Sequence, residues 1–176
     1  MDKPKVFAHC SYIGTTGYNQ HSRDFLRHLS KLMDVKVRNF TTSKDWGGNI
    51  DNQHDNESYL NDCDRKLLVE QTLWKNQKTN ELSNHKIYSG YKNNFDHDID
   101  LVLNTTNHHY FYDSYDKPKI AYNVWESTLQ PPHFFQKLLE FDQIWVPSKW
   151  QAGCTIQQGA PSNTAKVVPE GVDVDT

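Results

Sequence analysis

Cysteine, methionine, glycine and proline are all scarce in this chain of 176 residues, at 3, 2, 8 and 7 copies. Cys10, Cys63 and Cys154 are odd in number and form no CxxC pair. That excludes a disulfide framework and a zinc knuckle. No apolar run approaches the ~20 residues of a membrane-spanning helix, and the opening MDKPKVFAHCS has no signal-peptide core. The expectation is a reducing, cytoplasmic setting without a membrane span. Neither sign of charge dominates, since 19 Lys and Arg against 22 Asp and Glu leave a net charge of -3. Nucleic-acid binding needs clustered positive excess, and none is present. GxGxxG is missing, and no Lys-Ser/Thr follows a glycine loop as in a P-loop.

Against a mean hydropathy of -0.84 stand 5 Trp, 9 Tyr and 8 Phe. Disordered chains are poor in aromatics, so the composition points to one folded domain with a very polar surface. Lys5 to His9 reads as a strand, followed by a loop with Gly14 and Gly17 and then a helix. Phe25, Leu26, Leu29, Leu32 and Met33 share one helical face. Val35, Val37 and Phe40 alternate as a second strand should, giving a βαβ unit. Further strands are read at 99–103, 119–125, 143–146 and 165–168. Helices are read after Pro131-Pro132 and from Ser148, whose Ser-x-x-Gln spacing matches a capping box. Gly159 suits a helix stop.

Between about residues 41 and 98 this alternation fades. Nine of the 15 asparagines fall there, and only Leu67, Leu68, Thr72 and Leu73 suggest a short helix, with Ile87 to Tyr91 as a possible strand. The stretch reads as a polar insertion. Around it, strands alternating with helices predict an α/β fold, a Rossmann-like doubly wound parallel sheet.

In such a sheet, ligands sit beyond the carboxyl ends of the strands. That rule selects the loops at 11–18, 104–109, 126–128 and 170–173. Gly14-Thr-Thr-Gly17 precedes a helix whose free N–H groups and dipole suit an anion. The same residues also make an ordinary glycine turn. Asn107, His108 and His109 follow a strand, and a histidine there can exchange a proton near neutral pH; chance adjacency among 9 histidines is the plainer reading. No second His or Cys lies at helical ligand spacing, so no metal site is expected. Glu126 is one of only 6 glutamates, against 16 aspartates. It ends an apolar strand five residues before the next helix, which makes a capping role less natural than a functional one. Trp145, Trp150 and Phe141 fall inside strand or helix patterns and read as packing. Cys154 reads as a small buried hydrophobe.

Four segments carry a family likeness. Gly17-Tyr-Asn-Gln-His-Ser-Arg-Asp-Phe-Leu26, Ala121-Tyr-Asn-Val-Trp-Glu-Ser-Thr128, Phe141-Asp-Gln-Ile-Trp-Val-Pro-Ser-Lys-Trp150 and Val168-Pro-Glu-Gly-Val-Asp173 resemble, in order, segments of family 4-type glycosyltransferases. That resemblance implies the GT-B arrangement of two Rossmann-like domains facing a cleft, of which 1–176 corresponds to the N-terminal, acceptor-side domain. The donor-binding C-terminal domain would then be supplied in cis or in trans. Its chemistry implies transfer of a sugar from a nucleotide-sugar donor to a sugar or other acceptor, usually with retention and without a metal or cofactor. Carried over by position, Gly14, Gly17 and Tyr18 face the donor diphosphate. Asn107, His108 and His109 lie near the transferred sugar, and Glu126 with Ser127 lines the acceptor side. His109 and Glu126 become the catalytic candidates. Two rival readings differ in class. One is a non-catalytic scaffold subunit that pairs with a separate donor domain. The other is an unrelated nucleotide-binding Rossmann protein, against which the missing GxGxxG counts.

Overall fold

The computed structural model describes residues 2–12, 16–39, 60–68, 96–103 and 117–171. Its strands are β1 (Lys5–Cys10), β2 (Asp34–Asn39), β3 (Ile99–Leu103), β4 (Lys119–Tyr122), β5 (Gln143–Val146) and β6 (Ala165–Val167). Its helices are α1 (Gly17–Leu32), α2 (Asp62–Leu67), α3 (Pro132–Leu138) and α4 (Lys149–Gln157). All six strands form one sheet in the order β2-β1-β3-β4-β5-β6. Each neighbouring pair is parallel. This is the expected α/β Rossmann-like sheet.

Alternation along the strands divides the core in two. Val6, Ala8 and Cys10 of β1, Val35 and Val37 of β2, and Leu101 and Leu103 of β3 pack with Leu26 of α1 and Leu67 of α2. On the opposite face Val102, Ala121, Ile144 and Val146 pack with Phe135 and Leu138 of α3 and Ala152 of α4. Fully burying side chains of this size stabilises by roughly 1.5–3 kcal/mol each. Leu26 is fully buried at the centre of its helix face. Leu32, the last residue of α1, is 71% exposed although its spacing places it on the apolar stripe.

Local signals set the helix ends. Thr16 caps α1 through a reciprocal bond with Asn19, and Ser148 accepts from the Gln151 amide to cap α4. α3 starts at Pro132, where a missing N–H costs nothing. Gly159 has φ +123° just beyond α4, a conformation that side chains with a Cβ rarely adopt.

Three sequence readings shift. β4 ends at Tyr122 rather than residue 125. Val124 instead packs against the α1-side core, and Trp125 Nε1 donates to the Leu129 carbonyl at 2.9 Å, so the apolar character there belongs to a packed loop. In the polar stretch α2 starts at Asp62, five residues before Leu67, while Thr72 and Leu73 of the short helix read there lie outside the described residues. Asn61 and Asp64 form the capping box of α2, and Leu60 and Leu67 are buried. At least this part of the insertion joins the core, with Leu68 bridging to Val37. Trp150 is 55% exposed, because α4 buries Gln151, Ala152, Cys154 and Thr155. Residues 87–91 lie outside the described residues.

Candidate functional site

Because all strands run the same way, their carboxyl ends share one edge of the sheet. The chain leaves β1 toward β2 on one side, while β3 and the later strands lie on the other. The topological switch point is therefore between β1 and β3, where α/β sheets hold ligands. α1 begins at this edge, as does α4 after β5. The loop carrying Glu126 and Ser127 leaves the same edge from β4.

The loop after β1 is anchored by charge. Tyr12 is fully buried. Its carbonyl accepts from Arg23 Nη1 at 2.7 Å, and its hydroxyl donates to Asp64 Oδ1 at 3.1 Å. Arg27 grips Asp64 with two bonds of 2.7 Å and reaches Asp24 at 2.9 Å. Burial pushes the Asp64 carboxyl up, but the Arg27 guanidinium, the Asn61 amide and the Tyr12 hydroxyl outweigh it and leave it below the usual carboxylate value. Burial, then the Asp64 charge, raises the Tyr12 phenol well above its ordinary range. Burial likewise pushes the Cys10 thiol up to about 12, which makes it inert near neutral pH.

Beneath the switch point, on the other face, lies a second polar group. His9 Nε2 and Asp100 Oδ1 are 2.8 Å apart and both fully buried. His97 Nε2 lies 3.2 Å from the same oxygen. Burial lowers His9 to about 4, partly opposed by the bond to Asp100. His9 is therefore neutral at pH 7.

At the β4 end of the edge, α1 meets the segment after β6. His21 Nδ1 lies 2.9 Å from Glu170 Oε1, and the His21 ring packs edge-on against Tyr122 with centroids 5.3 Å apart. The Tyr122 hydroxyl donates to the Val168 carbonyl at 2.8 Å. Beside it, Asn123 is fully buried and neither side-chain polar atom has a hydrogen-bond partner. A buried unpaired polar group costs about 1–3 kcal/mol.

Of the residues singled out from sequence, Gly17 and Tyr18 open α1 at the carboxyl edge, and Tyr18 is 40% exposed. A Cβ on Gly17 would meet nothing within 4 Å. Glu126 and Ser127 are exposed, and among the described residues neither is bonded to α1. Gly14, Asn107, His108 and His109 lie outside the described residues. Arg23, Asp64 and Asn123 were not singled out; Arg23 and Asn123 fall within the four resembling segments, whereas Asp64 carried no signal apart from its capping position three residues after Asn61. Among the described residues no group of three or more His, Cys, Asp or Glu is placed to hold a metal ion, and no helix is long and apolar enough to cross a membrane.

No known family profile matches the chain, and no curated protein matches it. Two solved structures do. One is Anabaena Alr3699/HepE in complex with UDP, at 13% identity and TM-score 0.49, covering 98% of this chain and 45% of that one. The other is the same protein with UDP and glucose, at 14% identity and TM-score 0.46, covering 98% and 46%. The chain thus spans about half the length of the structures it matches.

Proposed function

We propose that this chain is the acceptor-side domain of a GT-B glycosyltransferase. It works with a donor-binding domain, in cis or in trans, to transfer a sugar from a nucleotide-sugar donor to a sugar or other acceptor, with retention. One observation carries the reading. The first and last of the four resembling segments touch through His21 and Glu170 at 2.9 Å, 149 positions apart. Tyr122 of the second segment lies between them. Segments that are separate in sequence but meet at one sheet edge support a shared role at that edge.

In this reading Gly14, Gly17 and Tyr18 lie against the donor diphosphate from across the cleft. Asn107, His108 and His109 lie near the transferred sugar, with His109 handling a proton. Glu126 and Ser127 line the acceptor side. Leaving-group charge is met by helix N-termini and by basic groups of the partner domain. No metal or other cofactor is invoked. Losing the partner removes most of the positioning and electrostatic stabilisation, each worth several kcal/mol in enzymes of this kind.

The test supplies that partner. Residues 1–176, assayed against a panel of nucleotide sugars, are expected to show no transfer. Fusing a donor-binding domain after Asp173, or adding one in trans, is expected to restore it. In the restored enzyme Glu126→Gln or His109→Ala should lower turnover by more than it lowers the unfolding midpoint. Robust turnover by residues 1–176 as a verified monomer would overturn the proposal.

A further inference from the structure

Where the loop after β1 meets α1 and α2, a closed ring of hydrogen bonds joins Tyr12, Arg23, Gln20, Asp24, Arg27 and Asp64. Arg23 Nη1 donates to the Tyr12 carbonyl at 2.7 Å, and Arg23 Nη2 donates to Gln20 Oε1 at 2.9 Å. Gln20 Nε2 donates to both Asp24 oxygens at 2.9 Å, and Arg27 Nη1 donates to Asp24 Oδ1 at 2.9 Å. Arg27 Nε and Nη2 carry the chain to Asp64. The Tyr12 hydroxyl closes it on Asp64 Oδ1 at 3.1 Å. Gln20, Arg23, Asp24 and Arg27 follow the i, i+3, i+4, i+7 spacing that places them on one face of α1. Two arginines stand against two aspartates, so the ring brings no net charge into the interior, where Tyr12, Arg23 and Asp64 are buried.

The bonds made by Asp64 decide its role. An ionised carboxylate offers about four lone-pair sites. Oδ1 takes the Tyr12 hydroxyl and Arg27 Nε, while Oδ2 takes Arg27 Nη2 and the Asn61 amide. With those sites filled, the carboxylate has no room for a substrate, a transferred proton or a metal. A salt bridge that only fastened α2 to α1 would end at Arg27 and Asp64. This network continues through Asp24, Gln20 and Arg23 to a backbone carbonyl where the loop begins, and it also takes the hydroxyl of that same residue. Tyr12 is thereby held by main chain and side chain together. At the far end of the loop Thr16 is held by its reciprocal cap with Asn19. We infer that Asp64, Arg27, Asp24, Gln20 and Arg23 are positioning residues for the ligand-facing edge. Acting as one unit, they fix Tyr12 and the Thr16–Tyr18 start of α1, and the polar insertion takes part in the site by delivering Asp64 on α2. The inference rests on the acceptor-side reading for what this edge meets, and adds to it the residues that hold the edge in place.

The test is ¹⁵N relaxation of residues 1–176, read at the Tyr12, Thr16, Gly17 and Tyr18 amides, alongside urea midpoints. Gln20→Ala and Tyr12→Phe each open the ring at one place and leave Arg27 paired with Asp64. The unsubstituted chain should give order parameters of about 0.85 at these amides, and each variant should drop them below about 0.6 while β4 and β5 stay rigid. Gln20 is exposed, and alanine is the best helix former, so the Gln20→Ala midpoint should be equal or higher. Order lost at an unchanged midpoint separates positioning from plain stability. In the enzyme restored by a donor-binding domain, Gln20→Ala should raise the nucleotide-sugar KM several-fold and leave the acceptor KM unchanged. Low order in the unsubstituted chain, order kept in either variant, or an unchanged donor KM despite lost order would overturn the inference, since a closed ring fails at any link. Transfer restored while both variants keep their order would sink the ring and spare the acceptor-side reading. Order lost in both variants, with no transfer under any donor-binding domain, would do the reverse.

Discussion

Around β1, β3 and α1 the buried polar groups include ionisable ones beside the neutral Asn19 and Ser22. Arg27 grips Asp64, Arg23 holds the Tyr12 carbonyl, and His9 meets Asp100 in the core. Around β4, β5 and α4 the corresponding fasteners are neutral amides. Gln151 bonds the Asn123 carbonyl, while Gln130 and Gln158 exchange bonds at 2.9 and 2.8 Å. Ion pairs fix geometry strongly but tie it to protonation state, and removing one partner strands a charge. Amides do not titrate, and one can stay open without leaving a bare charge behind. The first half therefore suits holding a loop still at the switch point. The second fixes the strand end after β4 and both ends of α4 without charge.

The largest effect that distinguishes the halves should come from Asp64→Ala, which strands the Arg27 guanidinium and removes the acceptor of the Tyr12 hydroxyl. Breaking a buried pair typically costs about 3–5 kcal/mol. Arg27 is 24% exposed, so the low end, about 3 kcal/mol by urea denaturation, is expected. A loss under about 1 kcal/mol, the range of an exposed pair, would remove the contrast.

Acid should act on the charged half alone. His9 is lowered from 6.5 to about 4 in the folded chain. Between those values the unfolded chain binds a proton that folded His9 refuses, so stability falls as pH falls through that window. Above 6.5 this group adds no pH dependence. The loss should reach roughly 2–3 kcal/mol by pH 4. His9→Gln should flatten the slope across that window. Asp64, depressed in the folded state, adds stability that is present above its ordinary carboxylate value and lost only at lower pH, which separates the two contributions. An unchanged slope in His9→Gln would show that the histidine is not its source.

In the amide half, Gln151→Ala removes one buried bond and orphans the Asn123 carbonyl, at an expected cost of about 1–2 kcal/mol with no change in pH slope. The smallest effects concern two glycines. Gly17→Ala meets open space at a helix start and should be neutral or stabilising by up to about 1 kcal/mol. Gly159→Ala, at φ +123°, should destabilise by about 1 kcal/mol. Equal midpoints for the two variants would refute the assignment of their backbone roles.

The fold was readable from sequence because strand alternation and helix periodicity record burial directly. β3 and β5 lie where their apolar runs place them, β1 and β6 differ by a residue at one end, and β2 starts a residue earlier, with Phe40 outside the described residues. β4 misled because Val124 and Trp125 are apolar through loop packing, not ladder pairing. α2 begins earlier than its leucines suggest because an Asn61–Asp64 capping pair sets its start, with Leu67 as its last residue. Trp150 misled because α4 buries small and polar residues in preference to its largest one. The glycine loop and Glu126 drew attention by residue type alone; Gly14 lies outside the described residues, and β4 ends four residues before Glu126. Asn123 was not, since an asparagine with no partner looks the same in sequence as one that has several. Only its burial beside α4 marks it out.

Binding of a nucleoside diphosphate tests the central claim, that this edge serves the acceptor side of a divided cleft. Isothermal titration calorimetry of residues 1–176 with UDP is expected to give no saturable heat, with any dissociation constant weaker than about 1 mM, or about -4 kcal/mol. One glycine loop and one helix N-terminus supply only a few N–H contacts to a diphosphate. Saturable binding in the low micromolar range, about -7 to -8 kcal/mol, would mean that this domain holds the nucleotide itself and would contradict the account.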